Sequence, residues 1–286
     1  MKLSLGTVQL GVPYGINNAK GKMTDAEAYE LLRAAHDNGF TMLDTSSEYG
    51  LAEERIGAYE RKHPNQFEIC AKFNASYSKE KLDFLRKRSL ERMGRVDHYV
   101  YYCVDFDVSK LEAGISDGVS VYSVEEAEAI ADNFHLVQVP ASILDGRMDA
   151  EIKKLQSKGK RVLIRSLLLQ GLLATDTSIQ PTGNIGNGEM IQAAEEYIEK
   201  LRRLANDYGM SKVEMCIRWA WEISPGVAIV GCETTEQVEQ VGQYFNKGPL
   251  PYSMISSVRK IREEVPEIVI SPRLWGQVYD FTSAAT

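Results

Sequence analysis

Eight short apolar runs, separated by amphipathic segments, constrain the fold of this chain more than any other feature. They read "LSLGTV", "TMLD", "FEICAK", "DHYVYYC", "GVSVYS", "HLVQV", "RVLIRS" and "VAIVG". Most are followed by a helix signal. "TDAEAYELLRAAHDNG" opens with a Thr24-x-x-Glu27 capping box and stops at Gly39. "SVEEAEAIADN" opens with Ser123-x-x-Glu126 and stops near Asn133, and "SKEKLDFLRKRSLERMG" stops at Gly94. Two helices are expected after the seventh run, roughly over Met190–Tyr208 and Ser211–Ile223, and a short one after the fourth, near Ser109–Ala113. Strand–helix alternation repeated eight times argues for parallel strands joined by crossover helices. That number of units fits an α/β chain folded as a (β/α)8 TIM barrel, with a doubly wound open sheet as the rival. No linker-like Pro/Gly/Ser stretch divides the chain, so residues 1–265 read as a single barrel domain. The tail, 266–286, falls outside the repeat and is expected either to cover the pocket or to be disordered, its end "FTSAAT" most of all.

Composition narrows the function by exclusion. A formal charge of −7 argues against a general nucleic-acid binder, because phosphate binding needs clustered Lys and Arg. The four cysteines, Cys70, Cys103, Cys216 and Cys232, are far apart and form no C-x-x-C pair. Neither a metal site nor a disulfide framework is expected, and a cytoplasmic setting fits. The N-terminus lacks the apolar core of a signal peptide, and no run of about 18 apolar residues suggests a membrane span. There is no P-loop, no G-x-G-x-x-G and no H-E-x-x-H; "GNIGNG" at Gly183–Gly188 has its glycines in the wrong order for a dinucleotide fingerprint.

Chemistry concentrates where strands end, because catalytic groups of such a barrel gather at its C-terminal face. Asp44 closes the second run, Lys72 the third, and Tyr49 follows in the loop of "DTSSEYG". A buried Lys beside a carboxylate forms a charge pair. Its positive charge is expected to lower the pKa of a neighbouring phenol, and such a phenol can protonate a carbonyl oxygen as it becomes an alkoxide. Taken singly, each residue has an ordinary explanation: a helix cap for the Asp, loop packing for the Tyr. The combination is much more specific.

These residues sit in motifs that resemble the aldo-keto reductase family. The resemblance rests on "LGTVQLG", on "GFTMLDTSSEYG" followed by "AEERIG", and on "ICAKF". It continues through "GVSVYS", "VQVPASILD", "RSLLLQGLL" and "VAIVGCETTEQVEQV", over roughly residues 3–245. The opening motif and "RSLLLQGLL" look like a bacterial branch often found in carbohydrate metabolism, in surface-sugar and nucleotide-sugar pathways. The resemblance implies a (β/α)8 barrel and reversible hydride transfer between a nicotinamide and a carbonyl. It implies Asp44, Tyr49 and Lys72 as catalytic residues. Gln138 and Ser123 would hold the nicotinamide carboxamide. Ser166 and Gln170 would line the pyrophosphate or substrate side. Gly231, Glu233, Thr234 and Gln237 would lie at the adenosine-phosphate site, where a helix N-terminus suits phosphates.

Two departures stand out. The family usually closes its fourth strand with a catalytic His; here the matching residue is Tyr102, which is expected to take that place among the catalytic residues. A tyrosine there can donate a hydrogen bond instead, narrow the pocket, or mark changed chemistry. His98 faces the same way by strand alternation but lies roughly 13 Å deeper, toward the barrel floor. The second departure is the cofactor. Between Gly231 and Gln243 there is no Lys or Arg to pair with a 2′-phosphate; Glu233 and Glu236 are there instead. The cofactor therefore stays open between NADP and NAD. Tyr14, Asn17, Asn74 and Arg165 are expected at the mouth, where they suit a polar, sugar-like or phosphorylated substrate. Trp275 is expected either to cover the pocket or to pack on the barrel exterior. The leading expectation is an NAD(P)-dependent oxidoreductase acting on a small carbonyl or alcohol, with no nucleic-acid or membrane partner. A redox-neutral epimerase and a non-catalytic nicotinamide-binding module are the alternatives.

Overall fold

The computed structural model describes residues 1–16, 18, 20–102, 118–175, 188–223 and 226–275. The expected short helix at Ser109–Ala113, most of "GNIGNG", Asn17, Cys103 and the "FTSAAT" end lie outside the described residues. All eight apolar runs form strands: β1 Lys2–Gly6, β2 Phe40–Ser46, β3 Glu68–Asn74, β4 His98–Tyr102, β5 Gly118–Ser120, β6 Leu136–Pro140, β7 Arg161–Arg165 and β8 Val227–Gly231. They pair in parallel, each with its sequence neighbours, and β1 pairs with β8 to close the barrel. The open-sheet alternative is thereby excluded.

The helices are α1 Asp25–Asp37, α2 Ala52–Glu60, α3 Lys79–Met93, α4 Val124–Ile130, α5 Asp149–Ser157, α6 Gly188–Asp207, α7 Lys212–Ile223, α8 Thr235–Asn246, α9 Tyr252–Arg262 and α10 Glu267–Ile270. The Thr24–Glu27 capping box starts α1 with both reciprocal hydrogen bonds. Ser123 caps α4, while the Glu126 carboxylate accepts from the Tyr122 N–H. Gly94 ends α3 in the left-handed conformation, φ 81°.

Strand alternation layers the barrel interior. Met42, Cys70, Val100, Leu136, Leu163, Val227 and Ile229 form a buried apolar plug. Two residues before this plug, toward the N-terminal face, stand Glu68, His98 and Arg161. They bind one another: Arg161 and His98 both engage the Glu68 carboxylate. His98 thus belongs to the floor network. Arg161 foremost, together with His98, holds the Glu68 carboxyl down at about 2. Two residues after the plug stand Asp44, Lys72, Tyr102, Gln138 and Arg165, with Ser120 two beyond Gly118. One periodicity, side chains inward every second residue, therefore places a ring of polar groups on an apolar plug at the C-terminal mouth.

From Pro266 the chain folds back as α10 and a 3-10 turn at Pro272–Leu274. Trp275 is fully buried in the core cluster, and its indole N–H donates to the Ile268 carbonyl at 2.6 Å. It anchors the tail, while Glu267, Ile270 and Ser271–Leu274 line the rim of the cavity at the barrel mouth.

Candidate active site

A single polar chain crosses the mouth. Lys72 forms an ion pair and hydrogen bond with Asp44 Oδ2, both side chains being more than nine-tenths buried. Gln138 Nε2 donates to Asp44 Oδ1 at 2.8 Å. Ser120 Oγ donates to Gln138 Oε1 at 3.0 Å, and Arg165 Nε reaches Ser120 Oγ at 3.4 Å. Register explains the order, since β5 pairs Ser120 with Gln138. Gln138 thus orients the Asp44 carboxylate, and through it the ammonium, with one amide hydrogen and one lone pair still to offer. Burial disfavours the charge on Lys72, but Asp44 and then Tyr49 outweigh it, so the pKa lies above the usual lysine value.

Tyr49 is held by backbone crowding. A Cβ on Gly11 would stand 1.6 Å from the Tyr49 carbonyl oxygen, and Gly50 turns with φ +52° against the Gly11 carbonyl. Only glycine fits this approach of the "QLG" and "EYG" loops. Arg55 of "AEERIG" ties the same corner by donating to the Leu10 and Met23 carbonyls. The Lys72 ammonium lies 5.1 Å from the Tyr49 ring centroid. The expectation of a lowered phenol pKa needs correction. Burial raises it, Lys72 lowers it, Asp44 raises it again, and the balance is upward. Desolvation outweighs the neighbouring cation. Tyr49 is therefore a protonated phenol, in the form that donates.

Tyr102 lines the same cavity, but its hydroxyl donates to Glu48, the residue before Tyr49; Tyr77 donates to the other oxygen of that carboxylate. Burial first, then Glu48, raises the Tyr102 pKa, and the hydrogen bond to Glu48 raises that of Tyr77 to about 12. Across the mouth, the Tyr122 ring lies between two guanidinium groups, Arg165 at 4.1 Å and Arg273 at 3.4 Å from its centroid. Glu48, Ser120, Tyr122 and Arg273 were not singled out in the sequence. Ser120 was within reach of the alternation argument, as the inward position two past Gly118; Arg273 was not, because nothing in the tail's sequence says where it folds.

The remaining positions divide clearly. Tyr14, Asn74, Ser123, Ser166, Gln170, Gly231, Glu233 and Gln237 all line the cavity, whose volume is about 880 Å³. Asn74 accepts from the Ser76 N–H and hydroxyl. Thr234 caps α8, accepting from the Gln237 N–H, and lies outside the cavity wall. Ser166, Leu169 and Gln170 all have positive φ, 64°, 45° and 56°. Such strain in non-glycine residues needs support, and one tie is the Gln170 carbonyl accepting from Ile16 N. Burial raises the Glu233 pKa, against the opposing effect of Lys20. Lys20 lies in the loop after β1.

The chemistry of this wall suits a nicotinamide dinucleotide. The Gln9 amide packs on Gly231, where a Cβ would stand 2.7 Å from Nε2. Gln9 Oε1 and Gln170 Oε1 are buried with no hydrogen-bond partner. Two orphaned acceptors, one of them on a glycine cradle, match the ribose hydroxyl and carboxamide donors of such a cofactor.

The profile of the Aldo/keto reductase family matches residues 2–263. The chain belongs to the aldo/keto reductase family. It is an NAD(P)-dependent oxidoreductase of that family. Similar solved aldo-keto reductases share its fold. One is the glycerol dehydrogenase AKR11B4 from Gluconobacter oxydans, 18% identical, covering 92% of this chain and 91% of that one, TM-score 0.74. Another is AKR11C1 from Bacillus halodurans in its holo form, 20% identical, covering 91% of each chain, TM-score 0.72. A third is an aldo-keto reductase from Klebsiella pneumoniae in complex with NADPH, 20% identical, covering 91% and 90%, TM-score 0.68. No curated protein matches the chain. Among the described residues no helix is long and apolar enough to cross a membrane.

Proposed function

We propose that this aldo-keto reductase moves a hydride between NADPH or NADH and the carbonyl of a small, polar, hydroxylated substrate, and the reverse. The observation that carries this reading is the convergence of Tyr49, Lys72 and Asp44 in one cavity. When bound, the nicotinamide supplies or accepts the hydride. The protein's own residues do the rest. Tyr49, a protonated phenol, gives its proton to the carbonyl oxygen as negative charge builds there. Lys72 stays charged beside Tyr49 and stabilises the phenolate left behind; Asp44, held by Gln138, keeps the ammonium in place. In the oxidation direction the same phenolate takes the alcohol proton back.

Residues that would hold the cofactor are Gln9, Gln170 and Gly231, with Gln138 and Ser120 toward the carboxamide and Glu233 and Gln237 at the adenosine end. The choice between NADP and NAD rests on Glu233 against Lys20. One similar structure holds NADPH, and another, also from Klebsiella pneumoniae, holds NADP and acetate. Glu48, Tyr102 and Asn74 present acceptor oxygens on one wall, which suits substrate hydroxyls. The described cysteines, Cys70, Cys216 and Cys232, are buried and in no disulfide, which suits a cytoplasmic enzyme.

Fluorescence titration with NADPH and NADH, followed by absorbance assays on keto sugars and sugar alcohols, tests this reading. Turnover with a matching change in reduced cofactor supports it. Tight cofactor binding without turnover across the panel points to the binding module. Product formed with no net change in the cofactor points to the epimerase.

A further inference from the structure

Among the described residues, no carboxylate answers the charge of Arg165. It closes β7 at the mouth, half-buried, and its hydrogen bonds and ring contact among the described residues are to neutral groups. Nη2 donates to the Val121 carbonyl at 3.1 Å, Nε to Ser120 Oγ and Nη1 to Ser166 Oγ, both at 3.4 Å, and the guanidinium lies over the Tyr122 ring. Among the described residues it has no ion-pair partner. The acids on this wall are engaged elsewhere. Asp145 and Glu267 both bind Arg147. Glu126 accepts from the Tyr122 N–H and faces Arg273 at 3.8 Å. Glu48, on the opposite wall, accepts from two phenols. A guanidinium carries five N–H donors in a planar fork, so Arg165 keeps donors in hand. The second guanidinium, Arg273 from the tail, lies over the same Tyr122 ring. The ring holds both cations at the rim. Arg165 also ends the polar chain that begins at Lys72, so it shares one cavity with Tyr49.

We propose that Arg165, with Tyr122 and Arg273, binds a carboxylate or phosphate carried by the substrate, so that the enzyme selects anionic carbonyl compounds over neutral ones. This rests on the oxidoreductase reading above and adds the substrate class. A planar bidentate match to Arg165 would fix the anionic end, leaving the carbonyl end to Tyr49.

The test compares kcat/KM for succinic semialdehyde against butanal, and for glyceraldehyde 3-phosphate against glyceraldehyde, using the reduced cofactor that binds tighter. The expected preference for at least one anionic partner is about tenfold or more. The pair that shows it tells carboxylate from phosphate. Arg165→Gln should bring the ratio close to one and Arg165→Lys should leave it intermediate, since a lysine keeps the charge without the fork. Arg273→Gln should lower it about two- to fivefold. Calorimetry with succinate and with inorganic phosphate on the cofactor-loaded protein gives a second reading: one anion should bind, and Arg165→Gln should abolish that binding. Equal turnover of anionic and neutral aldehydes, with no anion binding, would overturn the proposal and leave the reductase reading standing. Anion binding lost in Arg165→Gln, with no aldehyde reduced at all, would keep the anion site and sink the reductase reading. If Arg165→Gln weakens cofactor affinity as much as anion affinity, the guanidinium serves the cofactor phosphates and the proposal fails.

Discussion

The Tyr102 hydroxyl donates its one proton to Glu48, the residue immediately before Tyr49. A tyrosine that already donates to a carboxylate has lone pairs to offer a substrate, not a proton. Tyr102→Phe should therefore lower kcat/KM by less than about tenfold, whereas Tyr49→Phe should cost about 10²–10⁴. Steady-state kinetics on one substrate decides. A loss in Tyr102→Phe as large as that in Tyr49→Phe would mean that its hydroxyl turns to the carbonyl during turnover.

The raised pKa of Tyr49 sets a pH dependence. Burial outweighs Lys72, so the phenol stays protonated through neutral pH. Reduction needs the protonated form and should be flat across neutrality, falling only above the usual tyrosine value of about 10. Oxidation needs the phenolate and should climb steadily as pH rises toward that range. Rate profiles in both directions under saturating cofactor check this; a reduction rate already falling near neutral pH would contradict it.

Lys72 and Asp44 stabilise as a pair and harm singly. Lys72→Met leaves Asp44 buried with only Gln138 for support and should cost about 3–5 kcal/mol. Adding Asp44→Asn to Lys72→Met should recover part of that loss, because the stranded charge is gone. Urea denaturation of the single and double variants measures it; additive losses would mean the two are not coupled.

The floor network links stability to acid. The Glu68 carboxyl is depressed to about 2 by Arg161 and His98, below its unfolded value of about 4.3. A depressed carboxylate contributes stability that is full above the unfolded pKa and is lost as pH falls through the folded one. Glu68→Gln should thus cost about 1–2 kcal/mol near pH 6, after allowance for the partial exposure of the pair. The gap to the native protein should close between about pH 4.3 and 2. Thermal melts across that range provide the comparison; a gap independent of pH would rule out the ion pair as its source.

Glu233 should govern cofactor choice. Glu233→Arg should raise the preference for NADPH over NADH by about tenfold or more, since a guanidinium replaces a carboxylate on the cavity wall. Cofactor fluorescence titration reads the ratio directly. An unchanged ratio would place the 2′ position away from Glu233.

Much of this architecture was legible from spacing alone. Eight apolar runs gave eight parallel strands, since burial on both faces selects such runs. Alternation then put Asp44, Lys72, Tyr102, Gln138 and Arg165 on the inner face, because side chains repeat every second residue. What the sequence by itself determined was therefore the kind of fold and the identity of the groups at its mouth, both of which follow from local periodicity. Only the tertiary structure decided what those groups do to one another. Whether Tyr49 is an acid or a phenolate depends on desolvation by the whole barrel against one cation, and that balance has no local signature. Tyr102 met Glu48, Lys20 came near Glu233 and Arg273 reached Tyr122 because loops and tail, with no periodicity of their own, folded over the mouth. Charge and burial act through space, so their outcome waits on the packing that brings distant residues together.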